Sequence, residues 1–498
     1  MGGRAAMLLV LGFSVIFLTI GFNFNNLTNR SVENAMDYFN ETQAYNLAVS
    51  GANLAANQIF LDKSWSTGYQ NMQMGGGNIN VYISNNYTST GSISTSGKTT
   101  ICHIPPGNPD KAHTLSVANS AVAAHLAHGD YLGECSADHY STDIATIFSE
   151  GTFGGITKVI VVKLKPSTFA KFGNYYSSMT AYPATGDTFA GPFHVQGSLT
   201  TYGSPVFLGK VTCSGGLIKK GSPAKPIFNA GIQEGVSNPL EADFSGTMSK
   251  ADMIFKATSS SKGIDVRMYF NDDGTVTYST KQQGSSTWSA ETTKALSTIA
   301  PNGVLYADKG NFYIKGTLSG KVTLYAAKNG KTGYGNIYFE DNMVYKNPPK
   351  TSREEEHDSE EEHDSEEEHD SEEEHDSGEE HDSEHASSTD MLGLVAEENI
   401  RIQYNTNTVG KDISTHASMF ALNGNVGPEN GLVTQSSLKS WKILGGITAK
   451  NTRVTATYSG SRPVKGLKFV HTFDDRFYTS EPPLFPHTKN FEVVSWYE

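Results

Sequence analysis

Residues 5–22, AAMLLVLGFSVIFLTIGF, form an 18-residue stretch without a charge, and no other segment limits the possible folds so strongly. About 20 apolar residues cross a hydrocarbon core of roughly 30 Å, so this stretch is long enough to enter a bilayer. A cleaved secretory signal has a shorter apolar core and a small-residue exit site. Here the run passes instead into a second pattern. Val32, Met36, Phe39, Thr42, Tyr45, Val49, Ala52, Ala56 and Ile59 recur at three- and four-residue steps, with Asn, Glu and Gln on the other face. No proline precedes Pro105. One helix over about 5–61 is therefore expected, roughly 85 Å long at 1.5 Å per residue. Its first part belongs in an apolar environment and its second in a soluble domain.

This layout resembles the N-terminus of type IV pilins and pseudopilins. Gly2-Gly3 before Arg4, the uninterrupted apolar segment and the amphipathic continuation NLAVSGANLAANQIF carry the resemblance. It implies a prepilin-peptidase cut after Gly3, which would make Arg4 the first mature residue. The fifth mature residue would then be Leu8, where the family's major subunits carry Glu. That departure fits a minor or initiating subunit, or an uncleaved signal anchor. The implied partners are other pilin-like subunits, and the inner membrane before assembly. The implied location is a bacterial cell surface or extracellular filament.

A chain of 498 residues has room for two to four domains. With 49 Gly, 10% aromatic and only 18% charged residues, it reads as extracytoplasmic and rich in β structure. Its charge of −14 is concentrated in one place. Residues 353–385 hold 15 Glu, 5 Asp and 1 Arg, a net −19, so the remainder carries +5. No nucleic-acid footprint follows from that balance. EEEHDS occurs four times in succession from Glu354, then GEEHDS and EHASS. A six-residue period without apolar residues cannot bury a core, so residues 351–389 are expected as an exposed, disordered acidic-histidine loop. Such a loop solvates the surface or collects cations, calcium through its carboxylates above all.

After a Ser/Thr/Gly linker, YTSTGSISTSGK, comes TTICHIPPGNPDKAHTLSVANSAVAAHLAHGDYLGEC. Cys102 and Cys135 flank this segment and are expected to pair, with Cys213 single; three free buried thiols are the alternative. Ser116 is placed to cap a short helix through AVAAHLAH, which Gly129 would end. His125 and His128 then share a face, with His103, His113 and Asp130 close by in sequence. Four imidazoles and a carboxylate suit zinc or copper. The same residues also suit a small disulfide-closed module whose histidines are packed or solvated. The segment resembles a Cys-His-Ile-Pro-Pro-Gly-Asn module of secreted bacterial proteins, which implies no activity.

From about Thr157 short strands alternate with glycine turns, as in GVLYADKGNFYIKGTLSGKVTLYAAKNG. Phe312 and Ile314, or Val322 and Leu324, alternate as strand faces do, and Asn329-Gly330 and Asn423-Gly424 mark turns. The regular spacing favours a β-solenoid; a β-sandwich is the alternative. GPFHVQGSLTTYGSPVFLGKVT, GNIYFEDNMVY with LGLVAEENIRI, and PPLFPHTKNFEVVSWYE resemble an uncharacterised domain that follows pilin-like helices in environmental bacteria. No nucleophile elbow, P-loop, zinc-protease helix or dinucleotide fingerprint is present. Asp474, Asp475 and Glu481 are read as a solvated loop rather than catalytic carboxylates.

The expectation is an α+β chain with a membrane or filament helix at 1–65, a short β segment and linker at 66–98, a Cys/His-rich module at 99–140 and a β-rich domain at 157–498. The expected function is structural, a minor pilin or pseudopilin without enzymatic activity. A membrane-anchored surface adhesin or metal-binding protein is the rival.

Overall fold

The computed structural model describes residues 2–62, 65–87, 97–103, 113–127, 130–134, 140–241, 247–349, 388–459 and 462–497. The acidic-histidine tract, most of the Ser/Thr/Gly linker, His128 and Cys135 lie outside the described residues. The chain divides into two units, residues 1–166 with 490–498, and residues 167–489.

In the first unit, a single helix, α1, covers Gly2–Leu61. Its first half includes a window of mean hydropathy 2.2, none of it buried. Ser14, Thr19 and Thr28 donate their hydroxyls to the carbonyls of Val10, Val15 and Phe24 one turn back, which satisfies them without water. The second half packs on a sheet of five strands, the first four of them antiparallel. In sheet order these are Tyr69–Met74, Gly77–Tyr87, Tyr140–Phe153, Ile156–Thr168 and His487–Tyr497. The first four strands form a meander, since Tyr69–Met74 pairs with Gly77–Tyr87, which pairs with Tyr140–Phe153, which pairs with Ile156–Thr168.

The buried face of α1 keeps only the second half of the stripe that the large residues draw: Ala52 and Ile59 are buried in it, and Tyr45, Val49 and Ala56 pack against it. Val32, Met36 and Phe39 are exposed, and the contact is made by Ala44, Leu47, Ala48, Gly51, Ala52, Ala55 and Ile59. Small residues let the helix backbone approach the sheet closely. A Cβ added at Gly151 would meet the Ala44 carbonyl oxygen at 2.1 Å and the Ala48 nitrogen at 2.4 Å. Ile79, Val81, Ile147, Ile160 and Val162 complete this core from the sheet side.

The sequence places the start of the β-rich domain at 157. In the structure Ile156–Thr168 lies in the sheet of the first unit, and residues 490–498 return to that unit. The second unit is built on parallel ladders. The longest stacks ten strands in the order Met253–Phe255, Val304–Asp308, Lys321–Ala327, Met391–Ala396, Ile413–Ala421, Leu438–Asn451, Asn174–Ser178, Phe193–Val195, Val211–Cys213 and Ile232–Glu234. A second ladder stacks Ile264–Phe270, Gly310–Leu318, Ile337–Tyr345, Ile400–Ile402 and Val426–Pro428. Glycine turns the chain between ladders. Leu438–Asn451 bends at Gly445, whose φ is +137° and where a Cβ would meet the Ala417 carbonyl oxygen at 2.1 Å.

Stacking therefore does not follow chain order. Asn174, near the start of this unit, pairs with Ile447 near its end. The segment between Ile232–Glu234 and Met253–Phe255 joins opposite ends of the long ladder, nine strand spacings apart, or about 43 Å at ~4.8 Å each. Its residues Leu240, Met248 and Ala251 pack on an outer apolar cluster that contains Tyr175, Tyr306, Tyr325, Val395 and Phe420. The long ladder is thus covered on both faces, which explains why Met391–Ala396 is buried at every position. The inner face joins one large core in which Phe312, Ile314, Val322 and Leu324 point inward as their alternation requires.

The 473–481 loop is packed in part, for Asp475 and residues 478–480 are exposed as expected while Phe473, Asp474 and Phe477 are buried. Phe477 is fully buried, and Asp474 is buried in an ion pair with Arg476 at 2.6 Å, where it also caps the turn Asp475–Tyr478. Glu481 accepts from His487 at 2.9 Å. Where the acidic tract enters and leaves the body, Asp390 holds the base together. It accepts the N–H groups of Gly320 at 2.7 Å and Asn347 at 2.8 Å.

Candidate metal centre

The strand Lys98–His103 pairs antiparallel with His113–Ala118, setting His103 opposite His113. Ser116 is in that pairing and does not cap the helix, because the strand holds its backbone groups through Ala118. The helix α2 starts after it, at Asn119–Ala127, with His125 in its last turn. A short strand, Tyr131–Leu132, pairs on the other side of Lys98–His103. Asp130 comes just before that strand and arrives beside His103. Ile101 and Val122 are buried beneath the site with Phe148 and Val161.

Asp130 is fully buried, and one of its oxygens serves two rings. His103 Nδ1 lies 2.7 Å and His125 Nδ1 2.8 Å from Asp130 Oδ2. Candidate ligand atoms of all three residues lie within 4.8 Å of one another. The His113 ring meets His103 edge-on, with centroids 5.3 Å apart. When both rings are neutral and donate Nδ1–H to the carboxylate, each presents Nε2 as its lone-pair nitrogen. A carboxylate that fixes tautomer and ring orientation in this way is the usual support of a histidine metal ligand.

Of the five residues singled out in sequence, the structure thus brings His103, His125 and Asp130 together, with His113 against them. Asp130 Oδ2 is the acceptor shared by the two rings, and its carboxylate is also one of the three candidate ligand groups. Cys102 is fully buried on the same strand, Cys213 is a buried free thiol in the other unit, and the expected partner Cys135 lies outside the described residues.

If the cluster takes a metal, zinc titration of the full chain by calorimetry should show one strong site. Asp130→Asn should then weaken it by about 10–100-fold, the usual effect of losing an orienting carboxylate. Unchanged affinity in that variant would leave the histidines as a structural pair.

No family model matches the chain, and no curated protein does. Among solved structures it is similar to the crystal structure of competence-associated pilin ComZ from Thermus thermophilus. The identity is 11%, covering 92% of this chain and 97% of that one, with a TM-score of 0.28. At that score the two chains need not share a fold, so what this chain does has to be read from its own residues.

Proposed function

We propose that this chain is a pilin-like structural subunit, a minor pilin or pseudopilin, without covalent chemistry of its own. One observation carries the reading. The same uninterrupted helix is apolar and exposed over its first half and packed by small residues onto its own sheet over its second. An exposed apolar helix of this length is stable in lipid, or in a bundle of like helices, but not in water. The packed half fixes that helix to the folded unit it would carry.

In this reading a peptidase cuts after Gly3 and Arg4 becomes the first mature residue. The helix rests in the inner membrane and then joins other subunits in a surface filament. We further infer that the body is a β-solenoid rather than a β-sandwich. Support comes from the parallel pairing of strands along both ladders, which a sandwich of antiparallel sheets does not use. A second function, cation binding at the cell surface, is favoured by the convergence of His103, His125 and Asp130, with zinc or copper there and calcium at the acidic tract. A Cys102–Cys135 bridge would close that module.

Expression in a host with a type IV assembly system tests the main reading. Intact mass should give Arg4 as the N-terminus, and the chain should appear in the sheared filament fraction. Ile16→Arg should keep it out of both membrane and filament, because a charge at mid-helix costs about 2.5–3.5 kcal/mol on insertion. Retained Met1 with no filament signal would reduce α1 to a plain membrane anchor.

A further inference from the structure

A cavity of about 340 Å³ lies in the second unit, where the strand Asn174–Ser178 meets Leu438–Asn451. Its floor is apolar, made by Phe189, Val426, Trp441, Ile447 and Phe469, all members of the central core or packed against it. Its rim carries Tyr182 and Tyr202, both 42% exposed, so the cavity reaches the surface. This volume falls at the lower end of small-molecule sites, which are mostly apolar with a few placed polar groups.

Asp187 is the only acidic residue in the lining, and it is buried. Its Oδ2 accepts the Ala184 N–H at 2.8 Å, and Tyr458 donates its hydroxyl to Oδ1 over a long 3.3 Å. Among the described residues it has no ion-pair partner within 4 Å. A buried carboxylate without a counter-ion is unfavourable. Burial pushes its carboxyl up to about 6, against the opposing pull of the Ala184 N–H, Tyr458 and Lys468. Two further polar side chains of the lining, Thr452 and Arg453, are committed elsewhere. Thr452 Oγ1 is held between Thr180 and Ala181. Arg453 donates to the Pro428 carbonyl at 2.6 Å and to Asn430 at 3.0 Å.

We propose that this cavity binds a small organic ammonium ion, its amine against Asp187 and its hydrocarbon part on the floor of Phe189, Trp441 and Phe469. The amine supplies the missing positive charge, and the rings of Tyr176, Tyr202 and Tyr458 around it add the attraction of an aromatic face for a cation. A sugar ring fits the lining less well, because its hydroxyls need polar partners on several sides and Thr452 and Arg453 are already engaged.

The test uses the full chain in detergent and two probes of equal size, 2-phenylethylammonium and 2-phenylethanol, titrated by calorimetry at pH 8. The amine should bind at least about tenfold more tightly than the alcohol. Asp187→Asn should bring the amine down to the affinity of the alcohol. Tyr202→Ala, at the exposed rim, should weaken both probes several-fold. Equal binding of the two probes by the unaltered chain, no amine binding at millimolar concentration, or an amine preference that survives Asp187→Asn would each overturn the assignment. Should Asp187→Asn fail to fold, judged by circular dichroism, amine affinity unchanged by Tyr202→Ala would overturn it as well.

Discussion

Between pH 7 and pH 4.5, urea unfolding of the second unit should show a loss of about 3 kcal/mol of stability, with two histidines as its main source. His471 is buried with both ring nitrogens engaged as a neutral tautomer. Its Nδ1 accepts the Ala190 N–H at 3.2 Å and faces the Asn174 amide at 3.2 Å, while its Nε2–H donates to the Gly445 carbonyl at 3.0 Å. The Nδ1 of His416 accepts the Tyr345 N–H at 3.0 Å. A proton added at either Nδ1 would face donors, and burial already lowers both groups from 6.5 to about 4. The unfolded chain therefore takes up protons first as the pH falls. The stability these histidines contribute is complete above pH 6.5 and is lost on the way down to about 4. At pH 4.5 that amounts to about 2.5 kcal/mol for each, at 1.36 kcal/mol per pH unit.

Asp187 acts with the opposite sign. Its folded pKa of about 6 lies above the ordinary 3.8, so the folded state gains protons first and recovers about 2 kcal/mol over the same interval. The net loss is the ~3 kcal/mol expected. His416→Gln should remove about half of the histidine contribution, so its stability should change little between the two pH values. A loss that stays the same in that variant would place the titrating groups elsewhere.

Gly151→Val is expected to destabilise the first unit by about 3 kcal/mol, the upper end for overpacking, because the atoms struck belong to the backbone of α1. A flexible side chain could swing aside, but the Ala44 carbonyl and Ala48 amide cannot move without shifting the helix. Thermal unfolding, followed by the loss of proteolytic protection at residues 44–59, measures the effect. Protection equal to that of the unaltered chain would mean the helix is held by its larger residues and not by this close approach.

The helix was legible because an uncharged run and the absence of proline are local properties of the sequence. Its packed face was legible only in part, since Tyr45, Val49, Ala52 and Ile59 of the stripe do pack on the sheet, whereas Ala44, Ala48, Gly51 and Ala55, which bring the backbone close, draw no attention in sequence. The cluster of His103, His125 and Asp130 was legible for a related reason, its residues lying within one short module. The role of Ser116 was misjudged because capping chemistry and strand pairing compete for the same backbone groups, and the neighbour strand Lys98–His103 decides between them. In the body, the alternation of Phe312 with Ile314 gave the strands, yet nothing local could pair Asn174 with Ile447. The cavity beside Asp187 escaped notice for that reason, since its walls come from opposite ends of the unit. The 473–481 loop looked solvated because its charges are visible in sequence, whereas the burial of Asp474 against Arg476 is not.

The out-of-order stacking of the long ladder also bears on how the chain acquires its shape as it leaves the ribosome. The strands Asn174–Ser178 through Ile232–Glu234 are synthesised first, but the surface they rest on, Leu438–Asn451, is synthesised last. Until then Asn174–Ser178 keeps an open parallel edge, and open edges are templates for unwanted partners. Contacts between such distant residues also form slowly, because the intervening chain must be closed first. Each run of coils, Asn174–Ser178 to Ile232–Glu234 and Met253–Phe255 to Leu438–Asn451, therefore stacks in the order of its synthesis, while the junction that joins the two runs waits for the last strand of the second.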